Sequence, residues 1–368
     1  MMAKSWLRRT SKKFFIWLNL CIGFVFLIAV LSAHLNPHRF RFFGFFSLIT
    51  PYLIFLLLLS ILFWLISKPF WVIISVISLL TGWNQLKVIF AWNTSNNFSA
   101  AKQADHIRII DWNVQSFNGL TNNKEIKNRV RLDIAESMLK LDPDIICLQE
   151  FNTANTENNI RLFSKTYPYY FFSKDYQRRE GNYYSGSVIF SKFKIVNQDI
   201  IRFPNAESLL FADIIKNNDT IRIFTTHLQS FKFKKGDYED IRRITESDNE
   251  SLTASKSLMR KMEIAYSKRG IQADMVHLEL NKTPYPSIIC GDFNDVPNSY
   301  TYNTINNNWK DAFLESSWGI GRTFISLAPT LRIDYILTSS HFSVSQFDLI
   351  DEALSDHLML VSDVVLKK

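Results

Sequence analysis

Hydrophobic positions follow two regimes along this chain. Over roughly the first ninety residues they run almost unbroken, and from residue 106 they alternate with polar positions at the periods of strands and amphipathic helices. Phe14 to Ala33 is an apolar run of bilayer-spanning length. A second covers about 43–66 and contains Pro51, which a membrane helix tolerates near an end or against a neighbouring helix. Ser67-Lys68-Pro69 reads as a tight turn, after which a third run starts at Phe70 and reaches Trp83 or, through Lys87, Trp92. Three spans at about 14–33, 43–66 and 70–92 are therefore expected in an anchor of residues 1–92. Two spans are the alternative, because Asn84 and Gln85 interrupt the third. A cleavable signal peptide would share the basic start and apolar core, but the first run exceeds a usual signal core and a longer one follows it.

Asn93 to Asp105 is polar and has no period, so 93–105 is expected to be a linker ahead of a domain of residues 106–368. His106 to Val114 reads as a strand, and Glu125 to Leu141 as an amphipathic helix carrying Ile126, Val130, Ile134, Met138 and Leu141 on one face. Asp142-Pro143-Asp144 stops that helix before a buried strand, Ile145 to Leu148, so the order predicts a parallel pair with a crossover helix. Short strand-like runs follow at 187–190, 194–196, 209–215 and 221–225, with Asn217-Asn218-Asp219 as a hairpin turn. Gln229 to Pro284 is rich in Lys, Glu and Ser. Within it 257–279 reads as a helix with Leu258, Met262, Ala265, Ile271, Met275 and Leu278 facing inward. Its Phe231, Phe233 and Tyr238 among lysines suggest a substrate- or membrane-facing element, against the simpler reading of a solvated flank. Strands return at 287–290, 332–337 and 358–366, and this mixture of βαβ units and hairpins points to an α/β sandwich.

Charge alters the functional picture only once it is located. The chain has 42 Lys/Arg and 34 Asp/Glu, but nine of the basic and none of the acidic residues fall in the first hundred, which leaves the rest at a net of −1. A non-specific nuclease draws affinity from neutralising phosphates, so this balance disfavours nucleic acid as the partner. Lys4, Arg8, Arg9, Lys12 and Lys13 precede the first run and argue for a cytoplasmic N terminus, with Arg39 and Arg41 in the next loop speaking mildly against it. Three spans then put the domain outside the cytoplasm, on the periplasmic side. Cys21, Cys147 and Cys290 are far apart and match no metal spacing, so Cys147 and Cys290 are read as small buried residues.

The candidate chemistry sits where apolar runs end. Trp112-Asn113-Val114, Gln149-Glu150, Thr226-His227-Leu228, Gly291-Asp292-Phe293-Asn294, Arg332-Ile333-Asp334-Tyr335 and Ser355-Asp356-His357 deliver polar side chains toward one sheet edge. Mg²⁺ prefers hard oxygens and takes one or two protein carboxylates, for which Glu150 is the first choice. Asp292 suits orienting or deprotonating a water, and Asn294 suits donating to a phosphoryl oxygen. In Asp356-His357 the imidazole titrates near neutrality, with Asp334 as a carboxylate partner, and His227 is a second imidazole at a strand end.

Together with Ser185-Gly186, these motifs resemble the endonuclease/exonuclease/phosphatase superfamily over 106–368, in the family's order. The first hundred residues are similar, more weakly, to the multi-span anchors of its membrane-bound bacterial members. The resemblance implies a four-layer α/β sandwich of two mixed β-sheets flanked by helices, and divalent-metal hydrolysis of phosphoesters with Mg²⁺, or alternatively Mn²⁺. It gives Glu150 the part of principal metal ligand and sets Asn113 and Asp356 beside metal or phosphate. Asp292 and Asn294 would align the water, and His357 with Asp334 would be the acid/base group. His227 stands where abasic-site endonucleases have a tyrosine, so the chain looks more like the deoxyribonuclease, sphingomyelinase and phosphoinositide-phosphatase branches. The expected function is a membrane-anchored phosphodiester or phosphomonoester hydrolase whose partners are the lipid bilayer and a phosphoester such as a lipid or glycolipid headgroup. An extracytoplasmic nuclease and a non-catalytic binding module are the alternatives, and protein partners stay open.

Overall fold

The computed structural model describes residues 2–93, 98–118, 123–204, 207–245 and 251–367. Helices α1 (Met2–Ser32) and α2 (Gly44–Ser67) open the chain, and their segments Thr10–Ser32 and Arg41–Ser67 are each long and apolar enough to cross a membrane. Helices α3 (Val72–Thr81) and α4 (Trp83–Ile89) follow, bent by 66° from one another, so the third apolar run is a broken segment. Gly82 lies at the break, where a Cβ would be 2.3 Å from the Phe26 ring; one on Gly23 would be 2.7 Å from Ser78 Oγ. Small residues thus let α3 lie close along α1, and Ser75 Oγ donates to Asn19 Oδ1 across the same contact at 2.8 Å.

After α4 come β1 (Ala91–Trp92), β2 (Ile107–Asn113), helix α5 (Lys124–Leu139), β3 (Ile145–Ala154), β4 (Tyr169–Phe172), β5 (Tyr176–Arg178), β6 (Tyr183–Ser191), β7 (Ile195–Arg202), β8 (Ser208–Lys216) and β9 (Asp219–His227). Helices α6 (Lys235–Thr245) and α7 (Ser251–Lys282) lead to β10 (Ser287–Asp292), α8 (Tyr300–Asn306), β11 (Lys310–Asp311), α9 (Ala312–Ser316), β12 (Trp318–Gly319), β13 (Asp334–Thr338), β14 (Phe342–Ile350) and β15 (Met359–Leu366). One sheet runs β14-β15-β2-β3-β6-β4, with β5 on β6, and the other runs β11-β13-β10-β9-β8-β7. Each contains one parallel pair, β2 with β3 and β9 with β10. Asn217 and Asn218, both at positive φ, turn β8 into β9, which is why the hairpin there was legible.

Strand alternation builds three apolar layers. Ile107, Ile109, Ile145 and Cys147 of one sheet meet Ile223, Ile288, Cys290 and Ile336 of the other. The opposite faces are covered by α5, through Val130, Ile134 and Met138, and by α7 and α8, through Ala273, Val276, Leu280 and Tyr302. The architecture is the expected four-layer sandwich of mixed sheets flanked by helices, preceded by apolar helices. The inward stripe expected of α7 needs correcting. Leu258 and Ala265 are buried, but Leu278 is 56% exposed and the buried face continues through Arg269, Gln272, Ala273, Val276 and Leu280. Arg269 donates to Gln229 O at 2.7 Å and Gln272 Oε1 accepts from the Gln229 N–H at 2.9 Å. These two polar anchors set the helix's rotation, and a reading by hydrophobicity skips them.

The N-terminal helices and the sandwich share bonds. In the α1–α2 loop, Asn36 Nδ2 donates to Asp274 at 2.8 Å, and Arg41 pairs with Glu263 at 3.5 Å. Phe45 stacks edge-on against Tyr266 with centroids 5.3 Å apart, and Asn298 donates to Thr50 Oγ1 at 2.6 Å. Buried Arg332 donates to Val88 O at 2.6 Å and pairs with Asp311 at 2.5 Å. In the expected linker, residues 94–97 lie outside the described residues. Beyond them Ser99 and Ala100 are held by Arg108, and Trp92 pairs with Trp318 through β1 and β12.

Candidate active site

Register alone assembles half of the site. β10 pairs in parallel with β9 and antiparallel with β13, so Asp292 is the direct partner of His227 on one side and of Asp334 on the other. Gly291 permits this, for at its φ of +151° a Cβ would lie 2.1 Å from Thr226 O. Asp292 Oδ1 accepts the Asn294 N–H at 2.8 Å. Asn294, at φ +53°, donates from Nδ2 to Leu228 O at 2.9 Å, so one of its two amide hydrogens is committed to fixing the loop after β9.

The facing sheet supplies the rest. Asn113 closes β2 opposite Gln149 and donates to Asp292 Oδ2 at 3.1 Å. Between Leu148 and Phe151 the β3–β6 register slips, and Glu150 takes φ +50°. This bulge turns Glu150 out of the core, which fully buried Leu148 and Phe151 on either side of the Gln149-Glu150 pair continue, and into the cleft. Ser355 Oγ donates to Asn113 O at 2.7 Å and Trp112 Nε1 donates to His357 O at 2.8 Å, which pins the loop that presents Asp356 and His357.

His357 Nδ1 donates to Asp334, 2.9 and 3.0 Å from its two oxygens. Its Nε2 lies 3.8 Å from Asp292 Oδ2, and His227 Nε2 lies 3.5 Å from that same oxygen. Asn113, Glu150, His227, Asp292, Asn294, Asp356 and His357 all line one cavity of about 190 Å³, with Asp334 behind His357. All eight residues singled out in the sequence therefore converge.

The electrostatics follow from burial among charges. Burial alone would lower the His357 pKa, but Asp334 and Asp292 outweigh it and raise it to about 10. Burial likewise opposes charging His227, and Glu207, Asp292 and Glu150 raise its pKa. Asp292 is pushed up to about 6 by burial and then by Asp334, with both imidazoles pulling the other way. Asp356 is raised chiefly by burial and further by Glu150. The site gathers four carboxyl groups, Glu150, Asp292, Asp334 and Asp356, against two imidazoles and Lys232. An anionic phosphoester needs a cation to enter it, and the donor set fits one.

Asp292, Asp334 and His357 bring potential ligand atoms within 4.8 Å of one another. His357, however, commits Nδ1 to Asp334, so that trio reads as an ion-paired network. Glu150, Asp356 and Asn113 offer the cavity hard oxygens instead, the chemistry Mg²⁺ prefers.

Glu207 escaped the sequence reading. It is buried beside His227 at φ +67°, accepts from Tyr176 Oη at 3.4 Å, and its Oε2 has no hydrogen-bond partner among the described residues. No motif surrounds it in the sequence, and only the β8–β9 pairing brings it to the site. Leu48 of α2 also lines the cavity, together with Phe231, Phe233 and Lys232 of the loop after β9.

The endonuclease/exonuclease/phosphatase family model matches residues 112–357, and that of a domain of unknown function matches residues 12–89. Among solved structures, the chain is similar to an endonuclease/exonuclease/phosphatase from Beutenbergia cavernae at 17% identity and a TM-score of 0.50, covering 72% of each chain. It is also similar to the human Nocturnin catalytic domain with bound sulfate anion, at 21% identity and a TM-score of 0.51, over 72% of this chain and 95% of that one. These likenesses concern the fold. No curated protein matches the sequence.

Proposed function

Because the chain belongs to the endonuclease/exonuclease/phosphatase family and is a hydrolase of phosphoester bonds, we propose that it is a divalent-metal-dependent phosphodiesterase or phosphomonoesterase, anchored in a membrane and acting at its surface. The observation that carries this reading is the convergence of His227, His357 and Asn113 on one oxygen of Asp292.

In this mechanism Glu150, with Asp356 and Asn113, holds Mg²⁺ or Mn²⁺, which supplies neutralisation of the phosphoryl oxygens. Asp292 accepts a proton from the attacking water as the water oxygen bonds to phosphorus. One P–O ester bond breaks, and the leaving oxygen takes a proton from the His357 imidazolium. Asp334 holds the His357 ring so that Nε2 faces the cleft. His227 and the second amide hydrogen of Asn294 stabilise charge on the phosphoryl oxygens, and positioning of this kind supplies much of the rate in phosphoryl transfer.

Membrane anchoring is supported by the two span-length helices and by exposed Trp83, Trp92 and Trp318 around α4 and β1, the residues favoured at a membrane interface. The packing of the α1–α2 loop against the domain favours a domain on the opposite side from the N terminus. With the N-terminal basic cluster in the cytoplasm, the domain is extracytoplasmic. Arg41, a contrary signal in that loop, is engaged by Glu263. Lys232 is the one Lys or Arg on the cavity wall among the described residues, so the nuclease alternative lacks a basic track.

The test is full-length protein in micelles with Mg²⁺ or Mn²⁺ and bis(p-nitrophenyl) phosphate or p-nitrophenyl phosphate. Metal-dependent turnover of either that His357→Ala and Asp292→Ala abolish is expected. Activity kept within a few fold in both variants would reject the assignment. A C-terminal reporter that works only in the cytoplasm would, by working, reject the topology.

A further inference from the structure

The catalytic cavity is not walled by the sandwich alone. Leu48, in the second turn of α2, lines it together with Phe231, Phe324, Leu327 and Leu331. Leu48 belongs to a stripe with Phe45 and Tyr52, spaced three and four residues apart and therefore on one helix face. Each member meets the domain or its cavity. Phe45 packs on Tyr266, Leu48 faces the cavity, and the Tyr52 hydroxyl lies 3.4 Å from Thr330 Oγ1 in the loop that carries Leu327 and Leu331.

From Gly44 to Tyr52 the helix runs about 12 Å, and the domain borders α2 over that whole length. Beyond Tyr52, Phe55, Leu56, Leu59 and Leu62 of α2 are exposed. In a span they face acyl chains, and the apolar wall of the cavity is continuous with them. A cavity of about 190 Å³ takes a phosphoester headgroup and not a whole lipid.

Resting on the phosphoester-hydrolase reading above, we propose that the substrate is a membrane phospholipid that reaches the cavity sideways from the bilayer. Its phosphoester lies at Asp292 and His357, and its acyl chains remain along the Leu48–Tyr52 face of α2, bordered by Leu327 and Leu331. The anchor is then part of the substrate site, and the lipid never leaves the membrane.

The experiment uses full-length protein reconstituted into vesicles of phosphatidylcholine, phosphatidylethanolamine and phosphatidylglycerol in equal parts. Release of either phosphate-bearing product is compared with turnover of the matching chain-free glycerophosphodiesters and of bis(p-nitrophenyl) phosphate in the same preparation. At least one long-chain lipid is expected to be cleaved about tenfold or more faster than its chain-free counterpart, since burial of only two methylenes is enough for that ratio. Leu48→Asp is expected to collapse the ratio, and Leu327→Asp, in an exposed loop, gives the same reading if the helix variant fails to insert.

Turnover of the soluble diesters equal to that of every lipid, a ratio unchanged in both variants, or faster cleavage of single-stranded DNA would each overturn the lipid assignment while leaving the hydrolase reading intact. Absence of turnover of every phosphoester would overturn both.

Discussion

Replacing Asp334 by Asn tests the site at its least forgiving contact. Both Asp334 oxygens lie within 3.0 Å of His357 Nδ1, and the carboxylate is buried with no solvent to compensate a change. Asn keeps the shape and the backbone N–H bond to Thr323 Oγ1, so the fold is retained. It removes the charge that favours the imidazolium, and it can set an amide N–H against Nδ1–H, which drives the ring to the wrong tautomer or rotates it. The equivalent change in a serine-protease triad costs about 10⁴ in kcat, and about 10³–10⁴ is expected here. That loss corresponds to about 4–5.5 kcal/mol of barrier. Steady-state kinetics on bis(p-nitrophenyl) phosphate at saturating Mg²⁺ should show the loss in kcat with KM nearly unchanged. Because Asp334 raises the pKa of both Asp292 and His357, both limbs of the pH–rate profile should move to lower pH. A kcat within about fivefold of wild type, about 1 kcal/mol of barrier, would refute the assigned role of the dyad.

Glu150→Gln should raise the Mg²⁺ concentration for half-maximal rate about tenfold or more, and chelation should abolish wild-type turnover reversibly; an unchanged metal titration counts against Glu150 as ligand. Arg332→Ala leaves buried Asp311 without its guanidinium. Tyr302 Oη and the Phe313 N–H still reach Asp311, so the loss should fall near the lower end, about 3 kcal/mol, as a fall in Tm measured in micelles. An unaltered Tm would show that the junction with α4 is not a source of stability. In the metal-free protein, His357 has a folded pKa of about 10, above the ordinary 6.5, so its stabilising contribution is complete below about pH 6.5 and is lost as pH rises through 10. The penalty for ionising Asp292, raised to about 6, is already complete before that window opens. The Tm gap between wild type and His357→Asn should therefore narrow from pH 6.5 to 10, and a gap that widens would contradict the sign.

Most of the candidate cleft was legible because it lies at strand ends. Asn113, His227 and Asp292 each close a run of buried β residues, and parallel pairing puts such ends on one edge. Three features had no local signal. Glu207 reaches the site only through the β8–β9 hairpin, and its positive φ is imposed by tertiary structure on a residue type that does not advertise it. The rotation of α7 is set by Arg269 and Gln272, polar residues that a hydrophobic stripe discounts. The stretch read as a linker has no period, yet Ser99 and Ala100 are held by the Arg108 guanidinium, a long-range bond that composition cannot forecast.

Arg332 on Val88, Asn298 on Thr50 and Asn36 on Asp274 fasten the sandwich to its own helices at three separate places. If its helices span a bilayer as proposed, an enzyme held this way has no leash and samples an area and not a volume. In the proposed setting its rate answers to the mole fraction of substrate in one leaflet. Diluting a vesicle suspension with buffer would leave each enzyme's turnover as it was, whereas diluting the leaflet with an inert lipid would slow it in proportion.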